Sequence, residues 1–167
     1  ACTSGRENLC PERQIISLPP REGAFAQFVS MPAANLVAVP DGVPLDKASL
    51  AEPLAVSWHA ARLVLAALHP SMERRALVLG GGAIGLAASL ALKAMGVAEV
   101  TIVEPNPVRR AFLTDACGED AVADASGAFP MVIDAVGYAA TRATASAHAL
   151  PGGVIGHVGL GEDMGGL

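Results

Sequence analysis

The stretch Arg75–Glu104, RALVLGGGAIGLAASLALKAMGVAEVTIVE, governs the reading of the whole chain. Ala76–Leu79 is a short apolar run of the kind that forms a buried strand. It enters Gly80-Gly81-Gly82-Ala83-Ile84-Gly85, a small-residue helical segment follows to Gly96, and the β-branched run Val100–Val103 stops on an acid. Strand, glycine turn, helix, strand and terminal acid make up the dinucleotide-binding βαβ pattern, in which each glycine has a mechanical task. Gly80 permits the tight turn, Gly82 lets main chain approach a pyrophosphate, and Gly85 lets the helix lie close to the sheet. Ala83 and Ile84 open the helix, whose free N–H groups and positive dipole end suit phosphates. Glu104, 19 residues beyond Gly85, stands where a carboxylate accepts hydrogen bonds from an adenosine ribose. In a chain with 18 glycines such a motif alone also fits a flexible loop; the flanking elements decide against that.

Composition narrows the classes further. Hydrophobic residues make up 52% of the 167 and charged residues only 16%, so most segments must face a core and disorder is excluded. With aromatics at 4%, that core is expected to be Ala, Val, Leu and Ile packed on glycine-rich backbone. A net charge of −5, with no basic cluster beyond Arg74-Arg75 and Arg109-Arg110, argues against a nucleic-acid surface. The apolar runs are broken by Lys, Arg, His or Gly and fit buried helices better than a membrane span. Neither end reads as a signal peptide, so the expected setting is the cytoplasm. Three cysteines make no disulfide framework.

Outward from the motif, the pattern predicts a helix over 107–117, an edge strand near Ala121-Val122, a strand over 131–135, a helix over 139–149 and a strand over 154–158. With the strands at 76–79 and 99–103, this is most of a doubly wound parallel sheet. Toward the front, Ala51–Leu68 reads as a long, mostly buried helix with Pro53 tolerated in its first turn and His69-Pro70-Ser71 ending it. Asp46 is the expected N-cap of a short helix through Leu50. Residues from Gly23 through Pro44 alternate apolar and polar between prolines, which predicts short antiparallel strands with Pro40-Asp41-Gly42 as a turn. Residues 1–22 read as a polar lobe with little regular structure.

GRENLC, GAFAQFV, VPDGVPLDKASLAEPLAVSWHA, the glycine motif and VIDAVG…PGGVIGHVGLG follow one another in an order that resembles the zinc-containing medium-chain dehydrogenases, in their polyol and threonine dehydrogenase-like branch. The resemblance covers essentially the whole chain. It implies an α/β fold: a Rossmann-type parallel sheet, truncated, preceded by part of a GroES-like β-rich catalytic domain. Residues 1–55 would be the last part of that catalytic domain with a remnant of a structural zinc lobe, and 56–167 an incomplete NAD-binding domain. The closing GLGEDMGGL is a loop at a strand's carboxyl end, so the chain is expected to be a piece of a longer enzyme.

The resemblance also implies roles. Cys2 and Cys10 match the last two cysteines of the family's C-x2-C-x2-C-x7-C structural zinc lobe; the plainer reading is a pair of free surface thiols. Glu52, in EPLAVSWHA, matches a glutamate that faces the catalytic zinc; otherwise it is an acid at a helix N-terminus. The family's other catalytic ligands, a cysteine and the histidine of a G-H-E motif, have no counterpart, and none of His59, His69, His148 and His157 stands in such a context. Arg109 matches a basic position at the adenosine ribose, and Gly137 and Gly159 match strand-end positions whose main chain lines the cofactor, though both also fit simple turns. Glu104 favours NAD, whose free 2′-hydroxyl suits a carboxylate that a 2′-phosphate would not. Cys117 replaces a small or apolar family residue and is expected to be a buried thiol. The expected parent is an NAD- and zinc-dependent oxidoreductase acting on a small-molecule secondary alcohol such as a polyol, and a homo-oligomer at full length. The alternatives are a non-catalytic dinucleotide-binding module and a zinc-independent reductase of the same superfamily.

Overall fold

The apolar runs around the glycine motif form strands because each finds a parallel neighbour to take its main-chain hydrogen bonds. The computed structural model describes Gly5 and residues 7–162. It divides into two compact units, Ala1–Val43 and Pro44–Leu167. In the second, a helical turn α1 (Leu45–Ala48) and a helix α2 (Ala51–Ala67) precede β1 (Arg75–Leu79), α3 (Ala83–Ala94), β2 (Glu99–Val103) and α4 (Pro107–Asp115). Then come β3 (Asp120–Val122), β4 (Phe129–Asp134), α5 (Ala139–His148) and β5 (Ala149–His157). The five strands are parallel in the order β3-β2-β1-β4-β5. The order reverses between β1 and β4, which makes the crevice at their carboxyl ends the expected ligand site.

Period-2 alternation divides the core between the two faces of the sheet. Ala76 and Val78 of β1 join Met131 and Ile133 of β4 under Ala61 and Val64 of α2, Ala88 and Leu92 of α3, and Leu113 of α4. Leu77, Leu79 and Val132 point the other way, against Ala145 of α5. Gly85 is the joint between helix and sheet: a Cβ there would fall on the main-chain oxygen of Gly80.

Several expectations are corrected. No strand forms between Gly23 and Pro44; that stretch carries a single 3-10 turn, Ala33–Asn35. Its alternating side chains meet no hydrogen-bonded partner strand, and Phe25, Phe28 and Val37 stand exposed. Helix α2 is not mostly buried. Only a stripe of Ser57, Ala61 and Val64 is fully covered, with Leu65 partly packed beside it, the narrow face that one packing layer requires. Asp46 is not an N-cap: Pro44 holds that place in extended conformation, and Asp46 sits in the first turn, where its charge still favours the helix dipole. Strand β5 begins at Ala149 rather than Val154, with Pro151-Gly152-Gly153 carried by an irregularity opposite Phe129–Met131. Cys117 is half-buried rather than sealed in the core. No helix among the described residues is long and apolar enough to cross a membrane.

Candidate cofactor-binding site

The turn after β1 is built by Gly80, whose φ of +92° favours glycine and whose N–H donates to the Val103 carbonyl at 2.8 Å. A side chain on Gly80 would strike the Val136 side chain. Gly82 is the N-cap of α3, and a Cβ there would meet nothing within 4 Å, so it borders open space. Ala83 and Ile84 form the first turn of α3, and the Ile84 carbonyl accepts the Ser57 hydroxyl at 3.0 Å, pinning α2 to the start of that helix.

Glu104, directly after β2, reaches under this turn and is 3% exposed. Its Oε2 accepts the Gly81 N–H and Arg109 Nη1, each at 3.0 Å, while Oε1 accepts the Asn106 N–H at 2.9 Å. Burial pushes the Glu104 carboxyl up, but the Asn106 and Gly81 N–H groups and the Arg109 guanidinium outweigh it and hold the group below the ordinary glutamate range. A carboxylate offers about four lone-pair sites; with three taken, Oε1 retains one for a ligand hydroxyl. Arg109 is fixed from behind because Asn106 caps α4, accepting the Val108 and Arg109 N–H groups at 3.0 and 3.1 Å. Arg110 donates to the Glu104 carbonyl at 2.7 Å.

A cavity of about 570 Å³ opens above these groups. Gly80, Gly82, Glu104 and Arg109 line it together with the loop after β3 and the start of α5. Gly137, at φ +83°, lies against Gly159, so that a side chain on either would collide with the other's segment. This pair stands beside the cavity at the ends of β4 and β5. Glu52 is exposed in the first turn of α2 and is not among the cavity residues. Cys10 is a half-buried free thiol in the first unit, and Cys2 lies outside the described residues. Among the described residues no three or more His, Cys, Asp or Glu converge as metal ligands.

The glycine motif did not point to Asp124, Tyr138, Thr141 and Thr144, which also line the cavity. Asp134, which is buried behind the cavity wall rather than lining it, did carry a visible signal: an acid ending the otherwise apolar strand FPMVID.

The chain is 40% identical over 104 residues to (R,R)-butanediol dehydrogenase of Saccharomyces cerevisiae, an alignment covering 62% of this chain and 26% of that protein. It is 33% identical to sorbitol dehydrogenase of Arabidopsis thaliana over 98% of this chain and 48% of that one. Its fold superposes on acetophenone reductase from Geotrichum candidum, solved in complex with NAD, with a TM-score of 0.80 and 26% identity, covering 96% of this chain and 48% of the other. The chain belongs to the zinc-containing medium-chain dehydrogenase/reductase family. No family model matches it. It spans 48% or less of the family members it aligns with here. The α/β fold expected from the glycine motif is the family's nucleotide-binding fold, and the glycine turn, Glu104 and Arg109 come together in it.

Proposed function

We propose that this chain carries the NAD-binding site of a medium-chain dehydrogenase that moves a hydride between a secondary alcohol, of the polyol or diol class, and NAD. The observation that carries the reading is the buried Glu104 carboxylate. It braces the glycine turn through Gly81 and shares Arg109 at the wall of the cavity. Bound NAD would supply a nicotinamide ring that accepts the hydride.

The chain's own residues bind and orient. Main chain at Gly80–Gly82 and the first turn of α3 would hold the pyrophosphate, since Gly82 leaves its approach open and the helix N-terminus favours the charge. The free lone pair of Glu104 would accept a ribose hydroxyl. A 2′-phosphate in the same place would face the Glu104 charge, with Asp124 also on the cavity wall and Arg109 already engaged. This supports NAD over NADP.

The residues described do not complete a zinc site: Glu52, the counterpart of a catalytic-zinc residue, stands exposed on α2, Cys10, the counterpart of a structural-zinc ligand, is a half-buried free thiol, and among the described residues no three or more His, Cys, Asp or Glu converge. The alcohol chemistry therefore belongs to the whole protein as a proposal. The chain alone is expected to bind NADH without reducing NAD in the presence of sorbitol or butanediol. Titration by calorimetry with NADH and with NADPH tests the reading. Saturable NADH binding with NADPH at least about tenfold weaker is expected; equal affinity would remove the role given to Glu104, and no binding of either would remove the site.

A further inference from the structure

The carboxyl ends of β4 and β5 hold an acid that the glycine motif does not account for. Asp134, the last residue of β4, has no exposed surface. A carboxylate withdrawn from water persists only where its lone pairs are taken. Here Oδ1 accepts the Val136 and Gly137 N–H groups, each at 3.0 Å. Oδ2 accepts the Thr141 hydroxyl at 3.1 Å and lies 3.4 Å from His157 Nδ1. The main-chain oxygen of the same residue accepts the Val158 and Gly159 N–H groups at 2.9 and 3.0 Å.

One residue therefore sets the path of two loops, 135–141 after β4 and 158–162 after β5. Further bonds join the same two: Gly161 N–H donates to the Val136 carbonyl at 3.0 Å, and Arg142 pairs with Glu162 at 3.2 Å. The Ala139 N–H also donates to Glu162. Gly137 and Gly159 touch within this joint, and Val136 closes against Gly80 on the glycine turn.

We propose that Asp134 is a positioning residue that sets the floor for the second nucleoside of the dinucleotide, the half beyond the pyrophosphate. The proposal rests on the reading of the crevice as a dinucleotide site. A dinucleotide laid across the switch point turns its adenosine toward Glu104 on the β2 side and its other nucleoside toward β4 and β5. Val136 and Tyr138, which flank Gly137, line the cavity on that second side, and the Gly137–Gly159 contact backs them. Being buried, Asp134 acts through Val136, Gly137, Thr141 and Gly159 rather than by touching the ligand.

The test compares NADH with AMP, which carries the adenosine half alone, by calorimetry on the whole chain. In D134A the Kd for NADH is expected to rise about tenfold while that for AMP changes less than about threefold. D134N keeps an oxygen for the Val136 and Gly137 N–H groups and is expected to restore most of the NADH affinity. Equal weakening of both ligands would reduce Asp134 to a support of the fold and overturn the proposal, as would no weakening of either. If D134A does not fold by circular dichroism, T141V carries the same comparison, with about a threefold loss for NADH expected and no loss overturning. A wild-type chain that binds neither ligand would bring down the crevice reading itself; a wild type that binds both leaves the variants to judge Asp134 alone.

Discussion

The first 43 residues and the sheet that follows draw on similar apolar side chains and treat them in opposite ways. Phe25, Phe28 and Val37 are exposed to solvent, whereas Leu77, Ile102 and Ile133 are sealed completely. The main chain differs in the same sense. In the first unit backbone bonds close short turns, such as Arg13 to Cys10 and Asn35 to Pro32. In the second, parallel ladders join segments tens of residues apart. An apolar pattern becomes core only where a neighbouring strand takes the backbone bonds and a helix covers the face. The βαβ crossovers provide both at once; the alternating stretch after Gly23 has neither.

The sharpest way to break this contrast is to strike the joint that lets a helix cover the sheet. Gly85→Ala places a Cβ on the Gly80 carbonyl, backbone against backbone, with no flexible side chain to yield. We expect a loss of more than about 4 kcal/mol, seen as a collapsed or absent thermal transition. Gly82→Ala, whose Cβ meets open space, should cost no more than about 1 kcal/mol. It should nevertheless weaken NADH binding. Equal stability losses in the two variants would mean that close packing at Gly85 does not hold the layers together.

Glu104→Gln asks how much of the second unit depends on one buried charge. Removing the charge weakens the hold on Gly81 and Arg109, at a cost of about 2 kcal/mol near neutral pH. The pH dependence has a definite sign. Folded Glu104 binds its proton less tightly than an unfolded glutamate, so the unfolded chain takes up more protons in acid. Its stabilisation is fully present above the ordinary glutamate value of about 4.3 and is lost as pH falls below it. Urea unfolding of wild type and variant should therefore converge toward low pH. A gap that stays constant down to acid would remove the charge from the argument.

These same residues show why one part of the molecule was legible and another was not. Gly80, Gly82, Gly85 and Glu104 lie within 25 positions of one another on a single βαβ unit, so local spacing carries their geometry. Arg109 was placed at the adenosine end by family likeness; the sequence did not disclose that it would already be bonded to Glu104. Asp134 was overlooked because its partners come from different elements: Thr141 from the start of α5, and His157 only once β5 is laid beside β4. The excess burial expected of α2 had a related origin. Its apolar residues run all round, but only the stripe at 57, 61 and 64 is fully buried, with Leu65 partly packed beside it.

A smaller effect tests the cap that steadies Arg109. Asn106 accepts two N–H groups at the start of α4, and Asn106→Ala should cost about 1 kcal/mol in thermal unfolding. NADH should also bind more weakly if the cap holds Arg109 at the cavity wall. Lost stability with unchanged binding would separate the helix from the site.

The smallest expected effect lies in the first unit and is the direct counterpart of the Gly85 variant. Phe28 has 93% of its surface exposed. Truncating a phenylalanine in a packed core costs about 3–5 kcal/mol, because transfer and cavity terms are both lost. Neither term applies to a ring already in water, so Phe28→Ala should shift stability by less than about 0.5 kcal/mol. The aromatic payload is the same; only the presence of a covering layer differs. A loss approaching the core value would require a layer over this ring in solution. The contrast between the two regions would then be one of partners rather than of sequence.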